Sequence, residues 1–322
     1  MNLYPLKFKP IFKERLWGGK KLRNELGKNA QGSNIGESWE ISAVEDSVSV
    51  VENGKLAGIK LTELIETYQS GLLGKKIYKK YGEDFPILIK FIDAEKDLSI
   101  QLHPNDELAQ KRHNSFGKTE MWHVMQADED AELIIGFNKD VSKEEYQAHL
   151  SNNKLEEILN YEKVRKGDTF MINTGKVHAI GAGVLLAEIQ QTSDITYRIY
   201  DWNRKDKDGK TRELHTELAL DAIDYTKKDD FKVNYGQKEN ETNEMVSSPY
   251  FITNFLKLND EVTLDLETLD SFSIYMCVDG ETIVANEYGT VDLKKGETVL
   301  IPASTKKLTF NTKKADILQV YL

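Results

Sequence analysis

Residue types and spacings that suit chemistry gather first at Leu98-Ser99-Ile100-Gln101-Leu102-His103-Pro104. Apolar and polar side chains alternate there with the period of a half-buried β-strand. Leu98, Ile100 and Leu102 take one face; Ser99, Gln101 and His103 take the other. A strand facing water favours long charged side chains, whereas this face offers a hydroxyl, an amide and an imidazole. All three accept hydrogen bonds or bind a metal. Pro104 then ends the ladder, because it has no N–H to donate. The expectation is that the polar face looks into the pocket of a β-barrel. Two further stretches supply ligand types. In Lys118-Thr119-Glu120-Met121-Trp122-His123, alternation groups Lys118, Glu120 and Trp122 against Thr119, Met121 and His123. His178 follows a turn at Thr174-Gly175. Gln101, His103, Glu120 and His178 make a mixed nitrogen–oxygen set that suits Zn²⁺ and also admits Fe²⁺ or Mn²⁺. An amide is a weak ligand, so water or a substrate oxygen can still enter, as catalytic zinc requires.

The other histidines are read as structural or surface groups. His149 and His215 fall in helical, charge-rich segments and His123 falls on the wrong strand face; His113 is set aside with them.

The elements that must position these residues are mostly strands. Residues 1–50 read as short strands and turns, with Trp17-Gly18-Gly19 as a turn. Helical spacing marks 55–83, with Thr62 as an N-cap and a second helix near Lys75–Tyr81. Phe85–Ile92 is apolar enough for a strand buried on both faces. Asn105–Arg112 reads as a short helix, Lys118–Met125 and Ala131–Phe137 as strands, and 142–160 as helices broken near Asn152-Asn153. Strands dominate from Asp168, apart from a helix over Glu213–Ile223. The polar stretch 226–246 reads as a linker or crossover. From Tyr250 to Leu322 short strands recur with turn residues between them, the pattern of an all-β barrel or sandwich.

Composition sets outer limits. The 322 residues suffice for one large domain or two medium ones. The formal net charge of −10 argues against nucleic acid as a partner, while leaving room for a small anionic ligand. The single cysteine, Cys277, excludes an intramolecular disulfide. The N-terminal residues lack a signal-peptide core, and no apolar run approaches a membrane span. A cytoplasmic protein with no membrane contact is expected.

Lys166-Gly167-Asp168-Thr169-Phe170-Met171-Ile172-Asn173 resembles Lys295-Gly296-Glu297-Thr298-Val299-Leu300-Ile301-Pro302. Both are similar to the turn-then-strand element of cupin barrels. Aligned on their glycines, His178 in the first copy falls opposite Lys307 in the second. The implied fold class is mainly β: two cupin (jelly-roll) barrels, with a small helical segment inserted in or packed on the N-terminal half. Residues 1–225 would form the metal-binding unit and 247–322 a C-terminal barrel without metal.

Four segments resemble the signatures of type I phosphomannose isomerases, in order and approximate spacing. They are Ser99–Pro104, Lys118–Trp122, Gly175–Ile180 and Ser193–Arg198. The likeness runs from about Trp17 to Trp202, extends to the C-terminal third only in general barrel character, and the chain is similar to the short bacterial form. It implies an aldose–ketose isomerase that interconverts mannose 6-phosphate and fructose 6-phosphate through a cis-enediol. It also implies one Zn²⁺ per chain held by Gln101, His103, Glu120 and His178, and a catalytic arginine at Arg198. After Arg198 the segment Ile199-Tyr200-Asp201-Trp202 departs from the longer relatives.

Within that resemblance further roles follow. Arg198 shares a strand face with Thr196 and Tyr200, and is expected to stabilise the enediolate. Glu188 interrupts the apolar run Leu185-Leu186-Ala187-Glu188-Ile189; burial is expected to raise its pKa toward neutrality and fit it as the general base. The alternative for Glu188 is a structural pair with Arg198 or Lys118. Ser99 and Lys118 are the candidates for holding the phosphosugar substrate, with Arg198 competing for the phosphate. A cupin-type metal-dependent oxygenase and a non-enzymatic sugar-binding bicupin are the alternative functions.

Overall fold

The computed structural model describes residues 2–205 and 208–322; Met1, Asp206 and Lys207 lie outside the described residues. Its N-terminal part carries eleven strands: β1 (Ile11–Gly19), β2 (Ile35–Ile41), β3 (Ile87–Ala94), β4 (Ile100–Leu102), β5 (Glu120–Ala127), β6 (Glu132–Phe137), β7 (Leu159–Lys163), β8 (Thr169–Ile172), β9 (His178–Ile180), β10 (Val184–Gln191) and β11 (Tyr197–Tyr200). They form a six-stranded sheet, ordered β1-β2-β3-β10-β5-β8, and a five-stranded sheet, ordered β11-β4-β9-β6-β7. All the pairings are antiparallel.

Alternation along β3, β5 and β10 divides their side chains between two cores. Ile87, Ile89, Phe91, Met121, Met125, Leu185, Ala187 and Ile189 pack outward against the helices and the C-terminal sheet. Ile92, Ala94, Trp122, Val124, Val184 and Leu186 pack inward, against Leu133, Ile135 and Ile180 of the five-stranded sheet. This two-sided burial is why β3 reads as a continuous apolar run. At one end of the interior the inward positions turn polar. A register row crosses the six-stranded sheet there: Trp39, Lys90, Glu188, Trp122 and Phe170.

The C-terminal part contributes β12 (Thr242–Ser247), β13 (Ile252–Leu258), β14 (Val262–Asp265), β15 (Ser273–Asn286), β16 (Gly289–Lys294), β17 (Thr298–Ile301) and β18 (Lys307–Tyr321). They form one seven-stranded sheet around a core of their own. Two of these strands are long, not short: β15 and β18 run 14 and 15 residues. Bulges at Cys277/Asp279 and Glu281/Ile283 bend the pair. Gly280 is required at the bend, since a Cβ there would stand 2.1 Å from the Lys314 carbonyl oxygen. Strand β12 starts inside the stretch read as a linker, because Asn243 and Met245 bury alternate side chains against β13.

Other local expectations also shift. Trp17-Gly18-Gly19 is the end of β1 rather than a turn; its glycine serves close approach, a Cβ on Gly18 falling 2.4 Å from the Gly36 nitrogen. Helices occupy Leu61–Tyr68, Ser70–Leu73 and Lys75–Tyr81, but Thr62 lies inside the first and its end has no side-chain cap. Lys143–Ser151 is helical and Leu155–Ile158 a 3₁₀ turn, with the break at Asn152-Asn153. Over Glu213–Ile223 only Thr216–Ala219 is helical. Among the described residues, no helix is long and apolar enough to cross a membrane.

Candidate active site

Between the two sheets lies a polar cavity of about 650 Å³, within the usual range of small-molecule sites. Its walls include Ser99, Gln101, Lys118, His178, Glu188 and Arg198. The five-stranded sheet presents Arg198, Gln101 and His178 as register partners on three successive strands. The six-stranded sheet answers with Glu120, the first residue of β5.

His103, Glu120 and His178 are all buried, and their ligand atoms lie within 4.8 Å of one another. Glu120 Oε2 is 3.5 Å from His103 Nε2, and Glu120 Oε1 is 3.4 Å from His178 Nε2. The second ring nitrogens are already committed. His103 Nδ1 donates to the Ile195 carbonyl and His178 Nδ1 to the Lys176 carbonyl, each at 2.8 Å. A carbonyl can only accept, so these bonds place the ring protons on Nδ1 and leave each Nε2 lone pair facing the centre. Burial pushes the His178 imidazole down to about 4, and burial together with the Lys118 charge lowers His103 as well. Both rings are therefore neutral, the form that binds a metal.

Three polar atoms at this centre, both carboxylate oxygens of Glu120 and His178 Nε2, are buried with no hydrogen-bond partner. Burial raises the Glu120 carboxyl to about 7 against the pull of Lys118. The Lys118 ammonium stands 3.1 Å from Glu120 Oε2 and 3.2 Å from His103 Nε2. A cation is thus already drawn to two of the three groups, and the donor set fits a divalent ion. Gln101, the register partner of His178, lines the same cavity.

Ser99 links the amide to the arginine. Its hydroxyl donates to Gln101 Oε1 and accepts from Arg198 Nε, both at 3.3 Å. Burial lowers the Lys118 amine, but the charges of Glu120 and Glu188 outweigh it and hold the ammonium above its ordinary range. Arg198 lines the cavity with Thr196, as its strand phase predicts. Tyr200 does not join them: a bulge between Arg198 and Tyr200 breaks the alternation, and the tyrosine packs on Trp202 instead.

Glu188 corrects the expectation drawn from its apolar neighbours. Burial would raise its pKa, but the charges of Lys90 and Lys118 and hydrogen bonds from Lys90 and Trp122 bring it well below the usual carboxylate range. Its partners are Lys90 Nζ at 2.8 Å and Trp122 Nε1 at 2.9 Å, rather than Arg198 or Lys118. Lys90 is a cavity residue absent from the sequence reading. It was legible in the same way as Glu188, as a lone charge in the apolar run Ile87-Leu88-Ile89-Lys90-Phe91-Ile92. Glu37, paired with Arg15 and hydrogen-bonded by Trp39, lines the wall beside it. Arg212 also reaches the cavity, held by Asp201, but comes from a charged loop with no pattern to mark it.

His123 lies outside this centre, paired with Thr169 Oγ1 and packed near Tyr235 and Phe255. His149 bonds its own helix at the Glu145 carbonyl. His113 contacts the Tyr197 hydroxyl. His215, read as a structural or surface group in a charge-rich segment, contacts the backbone of Arg198.

Comparison with known proteins decides among the chemistries this arrangement allows. Residues 5–139 match the family model "Phosphomannose isomerase type I, catalytic domain", and residues 240–322 match "Mannose-6-phosphate isomerase, cupin domain". Mannose-6-phosphate isomerase ManA of Bacillus subtilis is 38% identical over 306 residues, 94% of either chain. The chain belongs to the type I phosphomannose isomerase family. A mannose-6-phosphate isomerase of Streptococcus mutans is 33% identical over 95% of either chain. The crystal structure of the mannose 6-phosphate isomerase from Bacillus subtilis superposes with a TM-score of 0.89 at 32% identity, covering 99% of this chain and all of the other. Membership in an isomerase family displaces the oxygenase and the non-enzymatic sugar-binding alternatives, since two histidines and a carboxylate alone had suggested the former.

Proposed function

We propose that this phosphomannose isomerase interconverts mannose 6-phosphate and fructose 6-phosphate through a cis-enediol, with one Zn²⁺ held by Gln101, His103, Glu120 and His178. The buried, unsatisfied pair Glu120 Oε1 and His178 Nε2 carries the metal part of the reading, because it is a site already shaped for a cation. When bound, such an ion supplies Lewis-acid stabilisation of charge on the sugar's C1 and C2 oxygens. The chain's own residues do the rest. Gln101 and His178 fix the floor of the cavity, and Arg198, one strand away, offers a guanidinium to the developing negative charge. Ser99 and Lys118 remain the proposed substrate contacts, lining the same cavity. Glu188 keeps its ionised form, and its part is to hold Lys90 and Trp122 in place rather than to carry the C1/C2 proton.

The proposal reads the chain as two cupin barrels. The first, with its helical segments near 55–83 and 142–160, holds the metal; the second, joined through the stretch that ends near 246, has none. The equivalence of two turns supports this. Gly167 N–H donates to Val124 O, and Val124 N–H to Asp168 O; Gly296 N–H donates to Cys277 O, and Cys277 N–H to Glu297 O. Both glycines have positive φ, and in each turn the acid side chain accepts a backbone N–H three residues back. Counting from these turns, β9 begins at His178 and β18 at Lys307, while Ser273 takes the place of Glu120. A cytoplasmic setting is part of the reading. Assay of fructose 6-phosphate formation from mannose 6-phosphate, with metal analysis of the same sample, tests it.

A further inference from the structure

Arg198 lies on β11, the edge strand of the five-stranded sheet, next to a bulge that interrupts its ladder with β4. The outward N–H and C=O of an edge residue need partners from elsewhere. Here a single residue meets both. His215 N–H donates to the Arg198 carbonyl at 2.7 Å, and Arg198 N–H donates to His215 Nδ1 at 3.2 Å. The imidazole nitrogen stands where the carbonyl of a missing neighbouring strand would. Two residues earlier, the Glu213 carbonyl accepts from Arg198 Nη1 at 2.9 Å. The segment is itself anchored, because Ala219 N–H donates to the His215 carbonyl at 3.0 Å and Ala219 is buried in the core beneath.

We propose that His215 is a positioning residue for Arg198: its unprotonated Nδ1 replaces an absent strand and fixes the backbone from which the guanidinium reaches the cavity. The role rests on the reading of Arg198 as a catalytic residue. Nδ1 accepts from an amide only when the ring is neutral with its proton on Nε2. Burial and the adjacent Arg198 charge, with His113 nearby, lower the imidazole pKa against the pull of Glu213, which keeps that form at neutral pH. An asparagine places its Oδ1 close to the position of Nδ1, whereas leucine keeps the bulk and loses the acceptor.

The test is a set of variants assayed with mannose 6-phosphate. His215→Leu should lower kcat by about tenfold, the worth of one hydrogen bond at the upper end of its range, with KM and bound zinc unchanged. His215→Asn should stay within about threefold of the parent. In an Arg198→Ala background, His215→Leu should cause no further loss, because the residue acts through the one removed. A parental kcat for His215→Leu, equal damage from Leu and Asn, or full additivity with Arg198→Ala would each overturn the assignment. The ¹⁵N shift of His215 Nδ1 gives a readout that needs no turnover. An unprotonated Nδ1 at pH 7 is expected, and a protonated one overturns the role even if the isomerase reading stands. An inactive parent with an unprotonated Nδ1 would defeat the isomerase reading while leaving the contact with Arg198 intact.

Discussion

His178 Nε2 lies 3.4 Å from Glu120 Oε1, both atoms buried and neither hydrogen-bonded. Each unsatisfied polar atom costs about 1–3 kcal/mol in such a place. Folding tolerates that where a ligand makes good the loss. The isolated protein should contain one zinc per chain, and His178→Ala or His103→Ala should release it. Elemental analysis checks both. Full metal content in the two variants, or a second ion held by residues of the C-terminal sheet, would contradict the assignment.

Arg198 is the next case. Its guanidinium is held by Ser99 and Glu213 beside Gln101. If it meets charge that develops only in the transition state, Arg198→Ala should lower kcat by about 10²–10³ with little change in KM. Zinc content should not change. A large rise in KM at constant kcat would assign the residue to ground-state binding of the phosphate instead.

Much of this centre was legible in the sequence. The period of two places Gln101 of β4 and His103, just past its end, on one face and Glu120 on the inner face of β5; in the folded chain Gln101 lines the cavity and His103 and Glu120 converge with His178. Tyr200 was misplaced because a bulge adds a residue to one strand, and the sequence carries no mark of it. Glu188 was correctly placed inside but wrongly charged. Its cross-strand partner Lys90 lies 98 residues away, and pairing at that separation is set by register rather than by local pattern. His215 and Arg212 come from an irregular loop, where neither period applies. The turn after Lys166 was visible because glycine supplies the positive φ it requires.

The Lys90–Glu188 pair carries a stability prediction. Both groups are buried, so Glu188→Gln leaves the ammonium without its paired carboxylate, in contact with Gln190, the new amide and the Trp39 ring and near the Glu37 charge. Removing one member of a buried pair typically costs about 3–5 kcal/mol. Replacing both, as Lys90→Met with Glu188→Leu, should cost less than the single change. Denaturant titration measures the difference. A single variant within about 1 kcal/mol of the parent, with its pH–rate profile displaced, would restore Glu188 as the proton carrier.

His123 makes stability depend on pH away from the candidate metal centre. Burial holds it to about 4 in the folded protein, against an ordinary value of 6.5. The unfolded chain therefore takes up a proton at a pH where the folded chain does not. The contribution of His123 is complete above pH 6.5 and falls by about 1.4 kcal/mol per pH unit as pH drops toward 4. His123→Leu should flatten the loss of stability between pH 6.5 and 4.5 and leave zinc content unchanged. An identical slope in parent and variant would show that His123 titrates as it does in the unfolded chain.

The most direct measurement is the conversion of mannose 6-phosphate to fructose 6-phosphate by the intact protein, followed before chelation, after chelation and after zinc is restored. The account predicts turnover in the first sample, its loss in the second and its return in the third. In the His103→Ala variant, zinc should restore nothing. Undiminished turnover in a sample shown to be free of metal would contradict the central claim.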